Sequence, residues 1–178
     1  MSAVEVSYTE DGPAEAPVVV LSTSLGATRG MWDPQVPALA ERYRVVTYDT
    51  RGHGDSPSPV GPYTLDDLVD DVVALLDRLG VRRAHLAGLS LGGMTALRLA
   101  AREPERVDRL VALATSARPD PPVFLDRAAA ARAGGTAPLA PAVVSRWLTP
   151  AYAAAHPDLV ARLEAMVAAA DDEGYALC

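Results

Sequence analysis

Leu86-Ala87-Gly88-Leu89-Ser90-Leu91-Gly92-Gly93-Met94 reads as an apolar strand, a Gly-x-Ser-x-Gly turn and the opening of a helix. A strand over 83–87 ends beneath Ser90. Beyond it, Leu91, Met94, Leu97 and Leu99 to Ala101 recur at helical spacing, with no proline before Pro104. This context carries more weight than the five-residue pattern, because a serine on a sharp strand-to-helix turn stands exposed at the C-terminal edge of a sheet, beside a helix N-terminus. Gly88 and Gly92 flank Ser90 where a Cβ would crowd such a turn, and Gly93 lets the helix lie close on the sheet. The stretch predicts an α/β fold with Ser90 as candidate nucleophile.

Outward from this turn the chain alternates strands and helices. Residues 4–8 alternate with period two and read as an outer strand closed by Asp11-Gly12-Pro13. Residues 17–22 form a continuous apolar run, the mark of a parallel strand covered on both faces. A loop over 23–30, a short helix over 32–41 and a strand over 43–48 follow, the last running into the Gly-rich turn Asp49-Thr50-Arg51-Gly52-His53-Gly54-Asp55-Ser56. A helix over 65–79 is the clearest element: Thr64 and Asp67 have capping-box spacing, Gly80 stands past the end, and Leu65, Leu68, Val69, Val72, Leu76 and Leu79 share one face. Its acidic set, Asp66, Asp67, Asp70 and Asp71, reads as a solvated face suited to the positive helix end, so no metal is expected there.

After the serine helix comes a strand over 107–115, uninterrupted and apolar from Leu110 to Ala114. Arg118-Pro119-Asp120-Pro121-Pro122 then ends the alternation and reads as a hinge. The remainder is alanine-rich and helical (123–133, 141–148 and 157–171), broken at Gly134-Gly135 and Thr149-Pro150. The expected organisation is a core portion over 1–117 and a helical lid over 118–178.

Composition bounds the function. A chain of 178 residues is one domain's worth. A net charge of −7 argues against nucleic acid and anionic membrane as partners. The single cysteine, Cys178, leaves no internal disulfide and no cysteine-based metal site. With no signal-like start and no long apolar run, a cytoplasmic location is expected.

The Gly88-Leu89-Ser90-Leu91-Gly92-Gly93-Met94 turn, the Asp49-Thr50-Arg51-Gly52-His53-Gly54 turn, and the loop Ser22-Thr23-Ser24-Leu25-Gly26 leading to Met31-Trp32-Asp33-Pro34-Gln35 together resemble the α/β-hydrolases. More narrowly, that loop and Arg146-Trp147-Leu148-Thr149-Pro150 resemble the 3-oxoadipate enol-lactonases of the β-ketoadipate route of aromatic degradation. The resemblance implies a mostly parallel sheet with flanking helices and a helical lid. It implies Ser90 as nucleophile, backbone N–H groups of Leu25 and Leu91 as oxyanion donors, Ser24 and Trp147 at the substrate, a lactone or ester substrate and no cofactor. It also allows a fused or associated decarboxylase. Lid arginines such as Arg127, Arg132 or Arg146 could draw in a carboxylated substrate, against the simpler reading that each is solvated.

A serine nucleophile needs a base, and the family's chain order is serine, then an acid, then a late histidine. His53 precedes Ser90 and reads as a shaper of its loop. His85 sits in the strand before the serine and reads as a hydrogen-bonding core residue, and His156 as a helix-start residue. Asp120 could stand where some hydrolases keep their acid, although its proline-rich setting suits a hinge better. The expectation is that the triad acid and histidine, with the last strands and helices, lie beyond residue 178; Leu110 to Ala114, apolar enough for two-sided burial yet last in the sheet, points the same way. General carboxylesterase and cofactor-free perhydrolase chemistry share the same elbow. A non-catalytic piece that binds or assembles is the reading from another class.

Overall fold

The computed structural model describes residues 2–118 and 121–178. Five strands, β1 (Tyr8–Asp11), β2 (Val18–Ser22), β3 (Arg44–Tyr48), β4 (Ala84–Leu89) and β5 (Val107–Leu113), form one sheet in the order β1-β3-β2-β4-β5. All neighbours are parallel except β1, which runs antiparallel to β3. The apolar runs of β2 and β3 lie at the buried centre, as a parallel sheet covered on both faces requires. Ser90 follows directly on β4, at the C-terminal edge of the sheet.

The outer strand sits later than its pattern suggests. Residues 2–7 do not pair in the sheet, because their polar groups find other partners: Val4 N–H donates to Asp71 Oδ1 (2.7 Å), Ser7 N–H to Ser56 Oγ (2.8 Å), and Asp49 N–H to the Ser7 carbonyl (2.9 Å). Val6 still packs into the core, so the period-two pattern reports burial and not pairing. The expected helix over 32–41 is a 3₁₀ turn (Arg29–Trp32) followed by the short α1 (Val36–Ala40).

Helix α2 (Leu65–Arg78) forms as its caps require: the Thr64 hydroxyl accepts from Asp67 N–H, and the Asp67 carboxylate accepts from Thr64 N–H (2.8 Å). Its apolar stripe, including Leu68, Val69, Val72, Leu75 and Leu76, is buried. The four aspartates are not one solvated face. Asp66 and Asp70, four residues apart, turn toward Arg98 and Arg102 of α3 (Leu91–Arg102). Asp67 and Asp71, one position on, turn inward, and Asp71 is 1% accessible. Asp71 receives Nε and Nη2 of the fully buried Arg51, both at 2.6 Å.

Past β5 only helices occur among the described residues: α4 (Pro121–Gly134), α5 (Ala140–Val144), α6 (Pro150–Ala155), α7 (Pro157–Ala168) and α8 (Asp172–Leu177). Thr149-Pro150, expected as a break, starts α6, with the Thr149 hydroxyl accepting from Tyr152 N–H and proline in the first turn. Helices α5 and α7 share a small core of Ala140, Val143, Val144 and Val167. Helix α8 joins this region to the sheet: Tyr175 packs with Leu25, Leu68 and Leu91, and Gly174 lies so close to Gly52 that a Cβ on Gly174 would stand 2.3 Å from the Gly52 carbonyl oxygen. Strand β5 is an edge whose apolar residues Val111 and Leu113 are 51% and 38% exposed, in contrast to the two-sided burial its composition suits.

Candidate active site

Ser90 links β4 to α3 with φ 52° and ψ −112°, a conformation that L-residues avoid and that persists only where surrounding contacts over-determine it. Those contacts are present. Ser90 N–H donates to the Leu113 carbonyl (2.9 Å), the Ser90 carbonyl accepts from the Thr115 hydroxyl (2.6 Å) and Met94 N–H (3.0 Å), and Gly92 N–H donates to the Thr23 carbonyl (2.9 Å). The glycines are required by space: a Cβ on Gly88 would stand 2.2 Å from the Gly92 carbonyl oxygen, and one on Gly92 would stand 2.4 Å from that of Ser22. Strand, turn and helix are thus locked together around a half-buried serine whose hydroxyl has no hydrogen-bond partner among the described residues.

Two residues of one buried cluster, Leu25 and Leu91, have free backbone donors. Leu91 is the first residue of α3, where the N–H has no intrahelical acceptor, and Leu25 lies in the loop after β2. Among the described residues neither N–H has an acceptor, although the flanking amides are engaged: Ser24 N–H with Met31 Sδ (3.4 Å), Gly26 N–H with His53 Nε2 (2.9 Å), and Gly92 N–H with Thr23. Gly26 adopts φ +79°, and a Cβ there would meet the Tyr175 ring at 2.9 Å.

His53 is 2% accessible, with Nδ1 3.2 Å from the Arg51 carbonyl. Since Nε2 accepts from Gly26, the ring is neutral with its proton on Nδ1. Burial pushes its basicity below the usual histidine range, against the opposing pull of the Arg51 carbonyl and the Asp49 and Asp171 carboxylates. The unfolded chain takes up this proton near pH 6.5 and the folded protein only lower, so stability present above 6.5 declines as pH falls through 6.5 and levels off below the folded value. A His53→Gln variant is expected to lose less stability between pH 7 and pH 5 than the parent, measured by urea unfolding. Equal losses would show that His53 protonates freely in the fold.

One cleft borders the elbow and a second lies beside the Leu25 loop. The first, of about 200 Å³, is lined by Tyr63, Leu68, Leu91, Met94, Phe124 and Leu177. The second, of about 300 Å³, is lined by Leu25, Phe124, Arg127, Ala128 and Tyr175. Leu91 lines the first and Leu25 the second. A larger polar cleft of about 500 Å³, around Arg29, Asp33, Asp49 and Asp55, includes no residue of the elbow.

Ser24 is buried, precedes Leu25 in the same loop, and donates its backbone N–H to Met31 Sδ. Trp147 packs against the α5–α7 core and is not among the residues lining either cleft. His85 packs edge-on to Tyr43, 5.7 Å between ring centroids, and its buried Nδ1 has no hydrogen bond, with Asp108 at 3.5 Å. It therefore lacks the expected hydrogen bond on that nitrogen. His156 stands at the start of α7, stacked on Tyr152. None of the three histidines hydrogen-bonds to Ser90. Asp120 lies outside the described residues. Burial pushes the Cys178 thiol up to about 12, so it stays protonated, within 3.5 Å of the Arg51 carbonyl. Sequence reasoning missed the Arg51–Asp71 pair and the His53–Gly26 bond, whose partners lie 20 and 27 residues apart with no local pattern to mark them.

No helix among the described residues is long and apolar enough to cross a membrane. Residues 17–145 match the family model described as alpha/beta hydrolase fold. The chain is 39% identical over 176 residues to 3-oxoadipate enol-lactonase 2 of Acinetobacter baylyi, covering 98% of this chain and 66% of that protein. A putative carbamate hydrolase of Caulobacter segnis is 46% identical over 106 residues, covering 58% of this chain and 40% of its own. The crystal structure of the enol-lactonase from Burkholderia xenovorans LB400 superposes with a TM-score of 0.95 at 45% identity, covering 98% of this chain and 68% of that one. The chain spans about two thirds of the length of these enol-lactonases. The mostly parallel sheet, the strained serine turn and these matches agree: the chain belongs to the α/β-hydrolase family.

Proposed function

We propose that this chain carries the nucleophile and oxyanion hole of a carboxylic ester or lactone hydrolase, with 3-oxoadipate enol-lactone as substrate and a place in the β-ketoadipate route. One observation carries the reading: a serine held in a strained elbow, followed directly by the acceptor-less Leu91 N–H, with Leu25, whose N–H also has no acceptor, packed in one cluster with Leu91. Ser90 Oγ attacks the lactone carbonyl carbon, and the oxyanion draws on the two amides, with the positive end of α3 behind Leu91. Collapse breaks the ring C–O bond, the enol oxygen takes up the proton that Ser90 Oγ released, and the enol tautomerises to a ketone. Water then cleaves the acyl-serine, releasing the oxo-diacid and restoring the hydroxyl. Likeness to enol-lactonases over nearly the whole chain supports this substrate above a carbamate, where the likeness spans a little over half.

Arg127 is the substrate's carboxylate partner in this reading. It lines the same cleft as Leu25, with its guanidinium 5.7 Å from the Phe124 ring centroid, and has no ion pair among the described residues. Arg132, in contrast, is paired with Glu173 at 2.9 Å through two nitrogens. The Arg127→Ala variant is expected to raise KM for the enol-lactone about tenfold, the scale of one charged hydrogen bond, and to leave neutral aryl esters unchanged. A parent that prefers aryl esters, with no effect of Arg127→Ala, would favour general carboxylesterase or perhydrolase chemistry.

A second reading rests on the absence of any hydrogen bond between Ser90 and the three histidines. In that case Ser90 is acylated once and turns over little. An aryl ester assay separates the two: a burst of one equivalent followed by a flat trace supports stoichiometric acylation, and a linear rate beyond it supports turnover.

A further inference from the structure

The structure assigns His53 a positioning role in the candidate site: its imidazole, seated on the Arg51 carbonyl, holds Gly26 N–H and thereby aims the preceding amide, Leu25 N–H, toward the serine turn. The inference rests on the reading of Leu25 as an oxyanion donor. Four observations carry it. Nε2 lies 2.9 Å from the Gly26 nitrogen, with both groups buried. Nδ1 lies 3.2 Å from the Arg51 carbonyl, which orients the ring and places the proton away from Gly26. Arg51 is itself fixed by Asp71 at 2.6 Å through Nε and Nη2 and by the Asp67 carbonyl at 3.1 Å. Gly26 at φ +79° has few alternative partners, since the Tyr175 ring closes the space on its Cβ side. The loop between β2 and the 3₁₀ turn has one further internal backbone bond, Ala27 N–H to the Ser24 carbonyl. That bond fixes the peptide plane of Leu25 N–H, and the adjoining peptide of the same turn is held at Gly26 N–H by a side chain from a different loop, 27 residues from Gly26.

A neutral imidazole is essential to this arrangement. Protonated, Nε2 would turn from acceptor to donor and face the Gly26 donor, pushing the loop away. The groups facing the ring are the Asp49 and Asp171 carboxylates, the Arg51 carbonyl, the Tyr175 ring at 6.5 Å and the Cys178 thiol, which shares the Arg51 carbonyl. His53 touches no reacting atom, so it is a positioning residue and not the catalytic base.

The test compares His53→Leu, which removes the acceptor, with His53→Gln, whose amide oxygen reaches about as far as Nε2. Backbone ¹⁵N–¹H resonances of Leu25 and Gly26 are expected to shift together in His53→Leu and to return toward parent values in His53→Gln. Aryl ester acylation of Ser90 is expected to slow by about 10- to 100-fold in His53→Leu with KM within about twofold, a fraction of the ~100- to 1000-fold that follows outright loss of an oxyanion donor. Unmoved Leu25 and Gly26 resonances overturn the proposal, as does a folded His53→Leu that acylates at the parent rate. Should His53→Leu fail to fold, ¹⁵N spectra of the parent histidines decide: a proton on Nδ1 supports the proposal, and a proton on Nε2 overturns it. A Ser90→Ala control that hydrolyses as fast as the parent would instead remove the nucleophile reading, and the resonances would still judge the positioning claim.

Discussion

Ser90→Ala is expected to lose covalent labelling by a fluorophosphonate and to bring ester hydrolysis to background, with its melting temperature held close to the parent's. Removing a hydrolase nucleophile costs on the order of 10⁶ in turnover where the full machinery operates, the largest activity change expected in this chain. The stability half of the prediction follows from the geometry. The Ser90 hydroxyl caps no helix and has no partner among the described residues, so its removal leaves no buried group unpaired. The backbone strain at φ 52° is the same for alanine as for serine. A fold that accepts such a conformation at a residue whose side chain does nothing for stability is using it to present that side chain. If Ser90→Ala still labels, or still hydrolyses the enol-lactone at the parent rate, the nucleophile is elsewhere. A variant that loses activity only by unfolding would show that the serine is structural.

The elbow was legible because its pattern is local. Gly88 is demanded by crowding against Gly92 within the same turn, and the strand and helix on either side show their own periods, although the atoms that demand Gly92 and Gly93 belong to Ser22 and Thr115, distant in sequence. The Thr64/Asp67 capping box was legible for the same reason, being a reciprocal pair three residues apart. What failed involves partners distant in sequence. Residues 4–7 look like a strand because Val4 and Val6 point into the core, yet their amides go to Asp71 and Ser56, 67 and 49 residues on. The aspartates of α2 look alike in sequence, and a shift of one position decides between Arg102 at the surface and Arg51 in the interior. The fold around the serine could therefore be read, including the exposed β5 edge, whereas the groups that hold the Leu25 loop could not. His53 was correctly placed in its own loop; that its ring reaches across to Gly26 needed coordinates.

Asp71→Ala is expected to cost about 3–5 kcal/mol, the loss seen when one partner of a buried ion pair is removed, or a fall in melting temperature of roughly 6–20 °C for a chain of this size. Arg51 is fully buried, and its Nη1 already has no hydrogen-bond partner. Without Asp71 its Nε would also be unpaired, Nη2 would keep only the Asp67 and Ser2 carbonyls, and Val4 N–H would lose its acceptor. The cost comes from that stranded charge and not from a large net attraction, because both ions were stripped of water to form the pair. An Arg51→Met, Asp71→Leu double variant should accordingly recover most of the stability lost by Asp71→Ala, and urea unfolding of the two variants measures the difference. A loss below about 1 kcal/mol in Asp71→Ala would mean that water reaches Arg51 and that the pair is not buried in solution. The double variant has a second use. It keeps the Arg51 carbonyl that seats His53 but removes the side chain that fixes it, so recovered stability with displaced Gly26 and Leu25 resonances would separate what the ion pair does for the fold from what it does for the site.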